Sequence, residues 1–153
     1  SGSKAPEFIL TKTDETKKSL NDFKGKYVYM HFFDPLVENA SIELDLLLSL
    51  HKKYGQQIEF ITIVPTTGYK QTSSQELLKK VKWDVFLADD YSSSIWKNYQ
   101  IKSFPYYVLL DAQGYVVQAP ALTPKANALY ETIDHTFFEI KKVLDRQNGE
   151  RGR

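Results

Sequence analysis

The sequence predicts an α/β domain: a central mixed β-sheet flanked by helices on both faces. Three observations carry that prediction. Residues 27–33 and 58–64 are nearly continuous apolar runs, which suit strands covered on both faces rather than strands wet on one. Segments of helical periodicity alternate with the extended runs, the pattern of layered α/β architecture. Residues 106–110 and 115–117 flank the turn Asp111-Ala112-Gln113-Gly114, so a hairpin closes the sheet. At 153 residues, the chain has the length of one domain and can bury a core.

In chain order, residues 6–10 read as a first strand. Residues 11–18 are polar and turn-like, part of an N-terminal extension strand or hairpin. Residues 19–26 form one helical turn closed by Gly25. The strand at 27–33 is broken by Asp34-Pro35. A helix then starts between Val37 and Asn39 and ends at Tyr54-Gly55, with Leu44, Leu47 and Leu48 on one stripe. The strand at 58–64 is bounded by Pro65, and 66–72 is a loop. Ser73 or Ser74 caps a helix reaching Lys80, with Glu76 in its first turn. Residues 85–88 are extended. Asp89-Asp90 caps a helix near 93–99. Residues 119–123 are a loop. Pro124 opens a last helix to about Leu144, with Leu129, Ile133, Phe137, Ile140 and Val143 at helical spacing. The resulting division is a cloning scar or linker at 1–5, a domain at 6–145 and a disordered tail at 146–153.

Composition excludes several functions. Lys+Arg is 20 against Asp+Glu 19, and the balance argues against a nucleic-acid partner, which needs a clustered basic face. No apolar run approaches the roughly 20 residues of a membrane span. The chain has no cysteine, so it offers no disulfide, no thiolate nucleophile and no thiolate metal site. His31, His51 and His135 lack ligand-like spacing, so neither a metal nor any other cofactor is expected. Ten Tyr and nine Phe supply rings for the core and for half-wet binding surfaces.

Three blocks carry a family resemblance. Residues 20–26, LNDFKGK, match the lead L-x-D-F-K-G-K into a central strand. Phe32-Phe33, followed by Leu36 and then Val37-Glu38-Asn39-Ala40, matches a block F-W-x-x-W-C-x-x-C. Ser103-Phe104-Pro105-Tyr106, followed by residues 109–114, LLDAQG, matches a block x-x-P-t-x-x-x-x-D-x-x-G. On these blocks the chain resembles the thioredoxin superfamily, its TlpA/ResA-like, AhpC/TSA-related branch, over roughly residues 6–144. The resemblance implies a thioredoxin-like fold, an extracytoplasmic location, and a cis proline at Pro105 facing the redox pair across a peptide groove. It also matches Glu43 to a glutamate frequent in the branch. Asp45 stands where a kinking proline is often found.

The departure from the family is chemical. Val37 and Ala40 occupy the cysteine positions, and thiol–disulfide exchange needs a thiolate attacking sulfur. The first reading is therefore a redox-inactive thioredoxin-like module. It recognises a protein or extended peptide segment through Leu36, Val37, Ala40, Phe104, Pro105 and Tyr106. A second reading is an enzyme of non-thiol chemistry using His31, Asp34 or Glu38. A third is a purely structural oligomerisation domain. His31 and Glu43 form a possible buried polar site, and the bland reading of His31 is a core histidine bonded to a neighbour. The acidic group Asp34, Glu38, Glu43 and Asp45 surrounds a helix start, where negative charge is ordinarily stabilising.

Overall fold

The computed structural model describes residues 2–89 and 93–151. Its strands are β1 (Ile9–Lys12), β2 (Lys17–Ser19), β3 (Tyr27–Phe32), β4 (Ile58–Pro65), β5 (Asp84–Ala88), β6 (Tyr106–Leu110) and β7 (Val116–Gln118). They form one sheet in the order β2-β1-β5-β4-β3-β6-β7. β3, β4 and β5 are parallel, and β1, β2, β6 and β7 join by antiparallel pairing. The helices are α1 (Ala40–Tyr54), α2 (Thr66–Tyr69), α3 (Thr72–Leu78), α4 (Ser94–Asn98) and α5 (Ile133–Arg151), with a 3₁₀ turn at Leu20–Phe23.

Alternation along the central strands sorts the core into two layers. Tyr29, Phe60, Tyr107 and Leu109 face α1 and α5, where Leu44, Leu47, Tyr54, Ile133 and Phe137 meet them. Phe33, Ala40, Val64 and Val85 continue this layer toward Leu78 of α3. Val28, Met30, Phe32, Ile61, Ile63 and Phe86 point the other way. There they pack against Phe23 of the 3₁₀ turn, Phe8 of the N-terminal segment, and Ile95 and Tyr99 around α4. Helices thus cover both faces, and the apolar runs of β3 and β4 follow from that double burial. Each fully buried Phe or Leu contributes about 1.5–3 kcal/mol to this arrangement.

Several local expectations are corrected. The first strand begins at Ile9 rather than Pro6, and residues read as turn-like form β2. Lys18 and Lys12 reach Asp84 at 2.6 and 3.1 Å and tie the β1–β2 hairpin to β5. Residues 66–69, read as loop, form α2, whose Gly68 is pressed against Asp34. Neither Ser73 nor Ser74 caps α3: Gln71 is its N-cap residue, and Ser74 is buried.

The final helix starts at Ile133, nine residues after Pro124. Asn127 stops an earlier start, because its side-chain oxygen accepts the N–H groups of Leu129 and Glu131 at 2.9 Å and holds a loop instead. Leu129 is consequently exposed. The helix continues to Arg151, past the expected boundary at 145, so the segment read as a disordered tail is helical through that residue. At the other end, the segment read as scar or linker lies against the start of β7: Gly2 N–H donates to Val116 O at 2.6 Å, Val116 N–H donates to Ser3 O at 2.8 Å, and Lys4 bridges Tyr115 just before the strand. The expected cap residue Asp90 lies outside the described residues.

Candidate functional site

The site is assembled at the C-terminal end of β3. Phe32 pairs with Tyr106, so the chain leaving β3 at Phe33-Asp34 and the chain entering β6 at Phe104-Pro105 meet at one end of the sheet. The Phe104–Pro105 peptide is cis, as the resemblance implies, and the Ala119–Pro120 peptide is cis as well. Pro105 is exposed, while Phe104 and Tyr106 are half-buried. The Phe104 ring meets Trp96 edge-on, with centroids 5.6 Å apart, and Tyr106 meets Phe32 at 6.4 Å.

Between β3 and α1 the backbone makes two successive turns. Val37 N–H donates to Asp34 O at 3.1 Å, and Ala40 N–H donates to Val37 O at 3.3 Å. Asp34 does not serve the helix start as its sequence position suggests: its carboxylate accepts the N–H of Leu36 at 3.0 Å and fixes the first turn. Asn39 takes the left-handed conformation at φ 65° and leads into α1 at Ala40. Ala40 is buried and Val37 half-buried against Phe33, Ala40 and Val64. Leu36 and Ile42 remain 55% and 57% exposed. This sheet end thus carries exposed apolar side chains, Leu36 and Ile42, beside the exposed polar residues Glu38, Asn39 and Ser41.

Beneath it lies a polar thread through the core. His31 is 1% exposed, with its ring stacked on Tyr107 at 5.0 Å and tilted against Phe33 at 4.6 Å. Tyr107 stacks in turn on Tyr29 at 5.0 Å. His31 Nδ1 lies 3.1 Å from Thr62 Oγ1, which also accepts Trp83 Nε1–H at 2.8 Å. Burial holds the His31 imidazole down to about 3, so the ring is neutral at ordinary pH. The Tyr107 hydroxyl donates a hydrogen bond to the Glu43 carboxylate. Burial raises Glu43 above the usual carboxylate range, against the opposing pull of that hydrogen bond and of the Lys125 charge. Burial likewise pushes the Tyr29 and Tyr107 phenols up.

His31 and Glu43 are both buried, and Tyr107 links them, its ring touching one and its hydroxyl serving the other. Glu38 is exposed, and Asp45 points to solvent from α1. The parts of this thread not anticipated from sequence are Thr62 and Trp83. Thr62 is one of two polar residues, with Glu59, in the apolar run of β4, and nothing local to the sequence links it to Trp83 or His31.

The arrangement matches known proteins in sequence and in fold. The family model described as Thioredoxin-like matches residues 25–116. Thiol-disulfide oxidoreductase ResA of Bacillus thuringiensis subsp. konkukian is 27% identical over 118 residues, 76% of this chain and 67% of the relative. The ResA of Bacillus subtilis is 22% identical over 142 residues, 92% of this chain and 75% of the relative. Among solved structures, the thioredoxin domain of a thiol-disulfide oxidoreductase from Bacteroides vulgatus superimposes with a TM-score of 0.69 at 25% identity. It covers 80% of this chain and 89% of that one. A thiol:disulfide interchange protein from Bacteroides sp. shares the fold with a TM-score of 0.71 at 22% identity, over 93% of this chain and 88% of that one. With the matched sequence spanning the central strand, its helix and the cis-proline strand, the chain belongs to the thioredoxin-like family.

Proposed function

We propose that this domain is a redox-inactive member of its family that binds an extended segment of a protein partner. The observation that carries the reading is the pair of exposed apolar side chains at the end of β3. Leu36 and Ile42 stand exposed beside the cysteine-free pair Val37 and Ala40, and the chain at Phe104-Pro105 runs past the last β3–β6 rung. A surface of that kind offers side-chain pockets and main-chain groups to an added extended chain, and β-type capture needs nothing more. Without a thiol, the same groove cannot resolve a disulfide. The family likeness supports an extracytoplasmic setting, and no helix among the described residues is long and apolar enough to cross a membrane.

The test is an NMR titration of the labelled domain with a pool of unstructured apolar peptides. Saturable shifts at Leu36, Ala40 and Phe104, lost in a Leu36→Asp/Ile42→Asp variant that keeps its fold, are expected. Shifts confined to other surfaces, or none, overturn the reading. The enzymatic alternative required a carboxylate within hydrogen-bond reach of His31. Thr62 is the partner found there, and no observation favours that alternative.

A further inference from the structure

A second surface lies at the opposite end of the sheet. α1 runs back along the strands, so its last turns and the connection entering β5 meet at the N-terminal ends of β4 and β5. Between them is an open cleft lined by Leu48, His51, Lys52, Lys80 and Lys82. The floor is apolar. The His51 ring lies 4.9 Å from Trp83 and 5.2 Å from Phe60. Gly55 makes this ring position possible: a Cβ there would sit 2.7 Å from His51 Cδ2 and Nε2. Burial lowers the His51 pKa, so the imidazole belongs to the uncharged floor rather than to the charged rim.

The rim is cationic and uncompensated. Lys53 is engaged by Asp134 at 2.7 Å, and Lys79 by Glu76 at 2.8 Å. Among the described residues, no carboxylate lies within ion-pair distance of Lys52, Lys80 or Lys82. The C-terminal ends of α1 and α3 each contribute about half a negative charge here, which three full positive charges outweigh. A near-neutral chain thus concentrates unpaired positive charge around one apolar recess.

We propose that this cleft docks an acidic peptide segment of a protein partner, with an apolar residue seated over Leu48 and the His51 ring and carboxylates on either side facing Lys52, Lys80 and Lys82. Charge complementarity around an apolar anchor selects such a segment. The proposal is independent of the groove at Phe104-Pro105, and the two surfaces at opposite sheet ends let the domain hold two segments at once.

The experiment is an NMR titration with short peptides in which a central Leu, Phe or Tyr is flanked by Asp and Glu. Parallel arms use lysine-flanked versions of the same peptides, inorganic phosphate, and vesicles of phosphatidylglycerol and phosphatidylcholine. Saturable shifts at Leu48, His51, Lys52, Lys80 and Lys82 with the acidic peptides are expected, weakening as salt is raised. A Lys80→Ala/Lys82→Ala variant, exposed at both positions and expected to fold normally, should bind about tenfold more weakly. Equal response to the lysine-flanked peptides, equal saturation by phosphate, binding of vesicles without the peptides, or no response at all would each overturn the proposal.

Discussion

Tyr107 of β6 donates its hydroxyl proton to the carboxylate of Glu43, on the first turns of α1, and so joins the sheet to the helix that carries the candidate site. Both groups are buried, and the carboxylate depends on this donor. Replacing Tyr107 by Phe keeps the ring stacked between His31 and Tyr29 but leaves the carboxylate without it. The expected cost is about 1–3 kcal/mol in urea unfolding at neutral pH, the penalty of an unsatisfied buried polar group. A loss indistinguishable from zero would show that the bond adds nothing to stability.

Glu43 should also give the fold a recognisable pH dependence. Its folded pKa is raised by burial, so in the window from the ordinary carboxylate value up to the raised one the folded state binds more protons than the unfolded state. Stability therefore falls as pH rises through that window. Glu43→Gln keeps an acceptor for Tyr107 and removes the charge. Its unfolding free energy, followed from pH 4 to 8, is expected to lack this decline. An unchanged slope would assign the effect elsewhere.

His31 acts with the opposite sign. Its folded pKa of about 3 lies below the ordinary 6.5, so the unfolded state binds the extra proton in between. Stability contributed by the neutral ring is fully present above pH 6.5 and is lost as pH falls toward 3. The loss amounts to about 5 kcal/mol at about 1.4 kcal/mol per unit. His31→Phe, which preserves an aromatic ring in the stack, should flatten this acid limb. A His31 imidazole titrating near 6.5 by NMR would contradict the burial that sets the prediction.

Gly68 measures how tightly α2 holds the loop of the site. An added Cβ would lie 2.9 Å from Asp34 Oδ1 and 3.5 Å from Pro35 Cδ. Alanine gains about 1 kcal/mol of helix propensity but meets an overpacking cost of about 1–3 kcal/mol. Because the Asp34 carboxylate is tethered to Leu36 N–H, the clash should win. Gly68→Ala is expected to destabilise by about 1 kcal/mol and to shift the amide signals of residues 34–37. A stabilised variant with those signals unmoved would show that the loop yields.

Restoring sulfur tests the correspondence of Val37 and Ala40 with the family's redox pair. Val37→Cys/Ala40→Cys is expected to gain insulin-reducing activity, with either single variant at background, because Ala40 opens α1 and a helix start favours a thiolate. A folded double variant that stays inactive would displace the pair from these positions.

The fold was legible where one signal was strong and local. The apolar run of β3, the stop at Asp34-Pro35 and the leucine stripe of α1 all lie within a few residues of the feature they specify. The errors arose where tertiary contacts overrode local preference. Thr66-Thr67-Gly68-Tyr69 is poor helix sequence, and α2 forms because Gly68 allows close approach to Asp34. Pro124 and the spacing of Leu129 promised a helix that the Asn127 side chain diverts into a loop. The thread from Trp83 through Thr62 to His31 joins three strand regions distant in sequence, and no local pattern reports such a meeting.

The two borders of the sheet bear on how the domain behaves in a crowded solution. At β7 the N-terminal segment occupies the backbone N–H and C=O of Val116 through Ser3 and Gly2, groups that a neighbouring molecule could otherwise seek. At β2 the outermost strand is only three residues long and carries Lys17 and Lys18. Short length and repeated positive charge discourage strand-to-strand recruitment. A protein rich in aromatic residues thereby keeps its seven-stranded sheet from serving as a template for aggregation.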